Sequence, residues 1–164
     1  VNAYSEPGQG TVFTLYFPRQ EVGERVMQQE QAALTFTGGS ETILVVEDEV
    51  DILEMTATML RNLGYTVLAA EDPLEALEKC AQYDGRIDLL LSDVIMPRMN
   101  GRDLAVRLLQ LHPGSKCLYM SGYTADIIAH QGVLDEGIHF LQKPFSHATL
   151  AAKVREALAD TTQN

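Results

Sequence analysis

The sequence predicts an α/β fold for residues 41–164, a doubly wound five-stranded parallel sheet, preceded by a short β segment and a linker. From residue 42 onward, short apolar runs alternate with amphipathic helical patterns. The runs are apolar at successive positions, as in strands that are buried on both faces. Because crossovers between parallel strands are right-handed, such a chain builds one sheet covered by helices on both sides.

The five strands are predicted at residues 43–46, 65–70, 88–93, 117–120 and 139–142. The helices between and after them are predicted at residues 50–63, 72–83, 102–111, 126–135 and 146–159. Helix-end signals agree with these limits, since Asp72 precedes a proline and Ser146 is a good N-cap, while Gly64 is a typical stop. The apolar face of the first helix is predicted to contain Ile52, Leu53, Met55, Met59, Leu60 and Leu63.

The composition excludes several functional classes. The 164 residues are 46% hydrophobic and carry a formal net charge of -11. An acidic surface repels nucleic acid and anionic membranes, so we expect no nucleic-acid partner and no direct membrane contact by this segment. No apolar run approaches the roughly 18 residues of a membrane span. Cys80 and Cys117 lack metal-ligand spacing and are too few for a disulfide scaffold, which favours a cytoplasmic location.

The first 40 residues have a different pattern. Residues 1–19 suggest two short strands around the glycine-rich turn of residues 6–10. The second of these strands is predicted over residues 11–17. Residues 20–40 are polar and end in Gly-Gly-Ser, which indicates a linker, with a short helical turn near residues 24–34.

Polar side chains collect where the buried strands end. Glu47 and Asp48 follow the first strand, while Asp93, Ser121 and Lys143 follow the third, fourth and fifth. The carboxyl ends of parallel strands share one edge of the sheet, so these side chains should converge there. Carboxylates about 4–6 Å apart raise each other's pKa, and a hard cation such as Mg²⁺ removes that conflict. A carboxylate can also attack phosphorus while a metal ion and an ammonium neutralise the phosphoryl charge.

Each of these residues has an ordinary structural explanation when taken alone. Asp93 could cap a loop, Ser121 could be a turn hydroxyl, and Lys143 could be a surface lysine. Glu49, beside the acidic pair, is expected to be a helix N-cap residue. Their occurrence together at four strand ends favours a functional site.

Four stretches of this region resemble the signature motifs of response-regulator receiver domains. They are residues 44–49 (LVVEDE), 91–101 (LSDVIMPRMNG), 120–123 (MSGY) and 143–145 (KPF). The resemblance covers roughly residues 41–160. It implies the flavodoxin-like sheet with strand order 2-1-3-4-5.

The resemblance also implies roles for individual residues. Asp93 is similar to the phosphorylated aspartate, and Asp48 to the direct Mg²⁺ ligand. Glu47 corresponds to a companion acid acting through water, at a position where the family often has aspartate. The backbone carbonyl of Ile95 corresponds to a further ligand.

Three other positions resemble the family's switch apparatus. Ser121 is similar to the hydroxyl that meets the phosphoryl group, and Lys143 to the lysine that pairs with it. Phe140 occupies the place of the switching aromatic residue, and because it lacks a hydroxyl, any switch depends on ring packing. A cis peptide between Lys143 and Pro144 is implied as well. The implied partners are a phosphohistidine donor, either a kinase or a histidine phosphotransfer domain, and a downstream signalling protein.

A second resemblance concerns the start of the chain. Gly8, Gly10, Thr11 and Phe13 form a G-x-G-T-x-F box similar to the end of the ATP-binding domain of sensor histidine kinases. This implies three parts: a remnant of that domain at residues 1–19, a linker at 20–40 and a receiver at 41–164. The parent would be a hybrid histidine kinase, anchored in a membrane upstream, and we expect no kinase activity from this segment because the catalytic core is absent.

Two alternatives remain open. The chain could be a stand-alone response regulator that acts by binding protein, with residues 1–40 an unrelated extension. It could also be a phosphatase that forms an aspartyl phosphate. A haloacid-dehalogenase-type enzyme requires an acid two residues after its nucleophile, and Ile95 at that position argues against this alternative.

Overall fold

The computed structural model describes residues 2–17, 38–122 and 138–160. The chain divides into two compact units, residues 1–34 and residues 35–164. The predicted helical turn at residues 24–34 and the predicted helix at 126–135 lie outside the described residues.

The first unit contains an antiparallel hairpin of β1 (Asn2–Glu6) and β2 (Gly10–Thr14), paired from Asn2 opposite Thr14 to Glu6 opposite Gly10. Gly8 and Gly10 both adopt positive φ, +79° and +95°, which glycine tolerates without strain. The prediction that the second strand continues to Phe17 was wrong. β2 ends at Thr14, which pairs with Asn2 at the start of the described part of β1, and Phe17 is 81% exposed.

The second unit contains a five-stranded parallel sheet and, among its described residues, four helices. Its elements are β3 (Thr42–Val46), α1 (Val50–Asn62), β4 (Thr66–Ala70), α2 (Pro73–Gln82), β5 (Leu89–Asp93), α3 (Gly101–Leu111), β6 (Lys116–Ser121), β7 (His139–Gln142) and α4 (His147–Ala159). The strand order is β4-β3-β5-β6-β7, which is 2-1-3-4-5 when these five strands are numbered along the chain. The predicted fold class is therefore confirmed.

Alternate side chains of the central strands enter two separate hydrophobic clusters. On one face, Leu44 and Leu90 pack with residues of α2 and α3, including Leu104. On the other face, Val45 and Leu91 pack with residues of α1 and α4. All five residues of β3 are buried, as the continuous apolar run predicted.

The predicted apolar face of α1 needs one correction. Leu53 and Leu60 are buried as expected, together with Thr56 and Ala57, which occupy the intervening turn. Met55 is 43% exposed instead. It is two residues from Leu53, about 200° around the helix, so it points away from the core.

Helix-end predictions hold in the structure. The Asp72 side chain accepts hydrogen bonds from the backbone N–H groups of Leu74 and Glu75, and Ser146 caps α4 through Thr149. Glu49 is the N-cap residue of α1, although its side chain makes no capping bond. Gly64 ends the helix at φ +92°.

Candidate functional site

The carboxyl ends of β3, β5, β6 and β7 lie along one edge of the sheet because all four strands are parallel and in register. A cavity of about 740 Å³ opens at this edge. It is lined by Asp48, Glu49, Ile52, Met55, Asp93, Ile95, Ser121, Gly122, Lys143, Pro144 and Phe145. The predicted convergence of Asp48, Asp93, Ser121 and Lys143 is therefore present in the structure.

Lys143 joins two carboxylates at the base of this cavity. Its Nζ donates to Asp93 Oδ2 at 2.6 Å and also to Glu47 Oε2. The Glu47 side chain is completely buried, and those of Lys143 and Asp93 are each 13% exposed. The Lys143 backbone N–H donates to the carbonyl of Ser121 at 2.8 Å, and the peptide before Pro144 is cis.

Burial sets the protonation behaviour of this group. Burial raises the pKa of Glu47, and the nearby negative charge of Asp93 adds to that rise, while contact with Lys143 opposes it. Burial alone would lower the pKa of Lys143. Its hydrogen bonds to Asp93 and Glu47 outweigh that effect and hold the Lys143 pKa above its ordinary value. Lys143 therefore stays protonated and acts as the counter-ion of both carboxylates.

Three acids at this edge fit a hard divalent cation. One oxygen each from Glu47, Asp48 and Asp93 lie within 4.8 Å of one another, a grouping found among the residues that the structure describes. Glu47 Oε1 is buried and has no hydrogen-bond partner. A buried carboxylate oxygen without a partner is costly, and a cation or a water bound to a cation would satisfy it.

Asp93 is held at the end of β5 by its own loop. Its Oδ1 accepts a hydrogen bond from the backbone N–H of Ile95 at 3.0 Å, while Oδ2 faces Lys143. The Ile95 side chain is 53% exposed at the cavity rim. That its carbonyl is a metal ligand stays a prediction.

The two predicted switch residues have different surroundings. Ser121 is 2% exposed and lines the cavity. Phe140 in β7 is half-buried, lies outside the cavity lining, and packs against the cluster that contains Tyr119. Gly8, Gly10 and Thr11, the residues predicted to belong to a kinase box, lie in the other compact unit, around the turn and the start of β2.

Sequence reasoning did not identify the apolar wall of the cavity. Ile52, Met55 and Phe145 form it together with Pro144. Ile52 and Met55 are spaced three residues apart on α1, so they face the same side. That spacing is the signal available in the sequence, which predicts both residues only as part of the apolar face of α1.

Comparison with known proteins agrees with this geometry. The family model described as response regulator receiver domain matches residues 43–155. The chain belongs to this family. It is thus a receiver domain of the two-component signalling type.

Among curated proteins, this receiver-containing chain is similar to Sensor kinase CckA of Brucella abortus (strain 2308). The two are 38% identical over 161 residues, a match covering 94% of this chain and 17% of that protein. It is 30% identical to Transcriptional regulatory protein ZraR of Klebsiella oxytoca over 76% of this chain and 28% of that protein. The chain thus spans well under half the length of either relative.

Solved structures show the same relationship. The receiver domain from the hybrid histidine kinase CckA is 38% identical with a TM-score of 0.60, covering 71% of this chain and 98% of that chain. The chemotaxis response regulator CheY4 of Vibrio cholerae is 31% identical with a TM-score of 0.61. This match covers 73% of this chain and 99% of that chain.

None of the helices within the described ranges is long and apolar enough to cross a membrane.

Proposed function

We propose that this receiver accepts a phosphoryl group on Asp93 from a phosphohistidine donor, with Mg²⁺ bound, and so takes part in a phosphorelay. The observation that carries the proposal is the joint placement of Asp93 and Lys143. The Asp93 carboxylate lies 2.6 Å from the Lys143 ammonium and belongs to a three-acid group with an unsatisfied buried oxygen. A nucleophile, a fixed cation and a cation-binding cluster are the parts that phosphoryl transfer requires.

The chemical step is a displacement at phosphorus. A carboxylate oxygen of Asp93 forms a bond to phosphorus while the N–P bond to the donor histidine breaks. The electron pair of that bond passes to the imidazole nitrogen, which leaves as neutral imidazole when the other ring nitrogen is protonated. Lys143 stays charged through the step and faces the oxygens that carry the transferred negative charge.

Asp48, Asp93 and the backbone carbonyl of Ile95 would hold the Mg²⁺ ion, with Glu47 acting through a bound water. Bound Mg²⁺ supplies charge neutralisation for the phosphoryl oxygens. The residues themselves contribute orientation, since Ile95 N–H fixes one Asp93 oxygen and Lys143 fixes the other.

Phosphorylation would act as a switch through Ser121 and Phe140. The aspartyl phosphate adds about two negative charges and three acceptor oxygens next to Ser121. We propose that Ser121 and Lys143 bind these oxygens and that Phe140 changes its packing with them. A downstream signalling protein then recognises the altered surface around β7.

We further propose that the parent protein is a cytoplasmic-facing hybrid sensor histidine kinase. The match to Sensor kinase CckA covers a larger share of this chain than residues 41–164 could supply, so it includes part of the first 40 residues. This supports assigning residues 1–19 to the end of a kinase ATP-binding domain and residues 41–164 to the receiver. The stand-alone regulator remains the alternative, and the coding sequence upstream of Val1 decides between them.

The test is phosphorylation of the purified chain by acetyl phosphate with Mg²⁺, followed by intact mass. The wild type should gain the mass of one phosphoryl group, and Asp93→Ala should gain none. EDTA should abolish the gain. A folded, Mg²⁺-binding wild type that gains no mass, or an Asp93→Ala variant that gains as much as the wild type, would overturn the assignment.

A further inference from the structure

We infer that Ser92 and Gly101 are positioning residues for the acceptor, acting together on the main chain of Asp93. The inference rests on the proposed function of Asp93, although its structural part can be tested separately. Neither residue lines the cavity. Both contact the backbone carbonyl of the acceptor residue, Asp93.

Gly101 is the first residue of α3 and packs against the backbone of Asp93. A Cβ at this position would lie 2.3 Å from the Asp93 carbonyl oxygen and 3.0 Å from Ser92 Oγ. Its backbone is not among the positive-φ glycines of the described chain, so its conformation does not require glycine. Alanine is also a better helix former than glycine, so helix propensity does not explain the glycine. The close approach to Asp93 is therefore what excludes a side chain.

Ser92 contacts the same carbonyl oxygen through a hydrogen bond. Its hydroxyl donates to the Asp93 carbonyl oxygen at 2.8 Å, and the residue is fully buried. The Gly101 N–H donates to the carbonyl of Val94 at 3.0 Å, which closes the loop that contains Ile95. Ser92 thus donates a hydrogen bond to the carbonyl oxygen of Asp93, and Gly101 packs closely against the same oxygen.

The expected consequence follows from how strictly phosphoryl transfer depends on position. A methyl group at residue 101 meets backbone atoms, so the start of α3 or the end of β5 must move. A shift of the Asp93 carboxylate by about 1 Å can slow a reaction on the order of a hundredfold. Loss of the Ser92 hydroxyl frees the same carbonyl and should have a smaller effect in the same direction.

The opposite edge of the sheet offers matched controls. Gly114 has open space around it but a positive φ of +89°, so Gly114→Ala introduces strain without a clash. Ser115 is a second buried serine whose hydroxyl donates to a backbone carbonyl, that of Ile87, at 2.6 Å. It precedes β6, at the amino ends of the strands and far from Asp93. Gly114→Ala and Ser115→Ala therefore reproduce the loss of stability without touching the acceptor.

The experiment measures four quantities on the full chain for Ser92→Ala, Gly101→Ala and the two controls. They are the melting temperature, the maximal rate and half-saturating concentration for phosphorylation by acetyl phosphate with Mg²⁺, and the NMR shift of the Ile95 amide. We expect Gly101→Ala to lower the maximal rate about ten- to a hundredfold, with Ser92→Ala intermediate. The controls should keep the wild-type rate at comparable losses of melting temperature.

Each outcome has a distinct meaning. Rates that fall in all four variants in proportion to melting temperature would overturn the inference, as would wild-type rates in Gly101→Ala. If the wild type itself accepts no phosphoryl group, the proposed function of Asp93 fails. The chemical shift of the Ile95 amide still tests the positioning in that case, because this N–H donates to Asp93 Oδ1 and responds to any displacement of that oxygen. It should shift in Ser92→Ala and Gly101→Ala but not in the controls, and an unchanged shift would overturn the inference.

Discussion

Lys143 is the only basic residue among the described residues that line the acidic cavity. Its ammonium contacts both Glu47 and Asp93, so a single positive charge compensates two carboxylates. Glu47 is wholly buried and has an elevated pKa, which makes it the residue most dependent on this counter-ion. Removal of a single partner from a buried ion pair is strongly destabilising because the other charge is left without compensation.

Replacing Lys143 with methionine should lower the free energy of unfolding by about 3 kcal/mol at pH 7. The loss should depend on pH in a defined direction. Without the lysine, the Glu47 pKa rises further above its ordinary value of 4.5. An acid whose folded-state pKa is raised stabilises the fold below its unfolded pKa and loses that stability as pH rises through the folded value. Urea denaturation at pH 5, 6, 7 and 8 should therefore show a steeper decline for the variant.

Lys153→Met is the matched control for that measurement. Lys153 lies on the surface of α4, where it pairs with Glu156, and such exposed pairs contribute little. Its stability should follow the wild-type pH curve. Parallel pH curves for Lys143→Met and the wild type would contradict the expected dependence of Glu47 on Lys143.

At the scale of the elements, the segment that precedes β3 is hydrogen-bonded to the C-terminal end of α1. The Gly39 N–H donates to the carbonyl of Leu63 at 3.2 Å, and Glu41 receives a hydrogen bond from Arg155 on α4 at 2.7 Å. A Cβ on Gly38 would lie 1.8 Å from the Leu63 carbonyl oxygen. Among the described residues, packing contacts of the receiver therefore reach back to Gly38, upstream of the predicted linker boundary at residue 40.

Gly38→Ala should destabilise the receiver by about 1–3 kcal/mol, because the new methyl group meets backbone rather than a movable side chain. The measurement is thermal or urea unfolding of the full chain. Gly122→Ala is the control, since no atom lies within 4 Å of a Cβ at that position. Equal stability of the two variants would show that residue 38 is not packed against α1.

At the scale of the whole molecule, the chain carries a net charge of -11, so cations should stabilise its fold. Three of the acids lie together at the sheet edge, where a bound cation should have the largest effect. A ligand that binds only the folded state stabilises it in proportion to the logarithm of its concentration. The Mg²⁺ site should therefore be detectable without any phosphoryl transfer.

Magnesium should raise the melting temperature, with a gain of about 2.7 kcal/mol in unfolding free energy at a hundred times the dissociation constant. EDTA should reverse the gain. Asp48→Asn should remove most of it, whereas Asp84→Asn, an exposed acid in the loop after α2, should leave it intact. If both variants respond equally to Mg²⁺, the stabilisation is general screening and the three-acid site is not the cause.

The sequence by itself determined the sheet and the composition of its functional edge. Short continuous apolar runs that alternate with amphipathic helical patterns indicate strands buried on both faces, and parallel strands place the residues that follow them on one side. The sequence therefore predicts that Asp48, Asp93, Ser121 and Lys143 lie together at this edge of the sheet. The strand order and the cis peptide at Pro144 came from the motifs, and the structure agrees with both.

The tertiary structure alone decided how these groups interact. Lys143 bridges Asp93 and Glu47 across 50 and 96 residues of sequence, and no local pattern specifies which carboxylate a lysine will contact. The same holds for Met55, which faces the cavity instead of the core, and for Gly101, whose need for glycine comes from the carbonyl of Asp93. Periodicity reports which side of one element is apolar, whereas close approaches arise from how separate elements pack against each other.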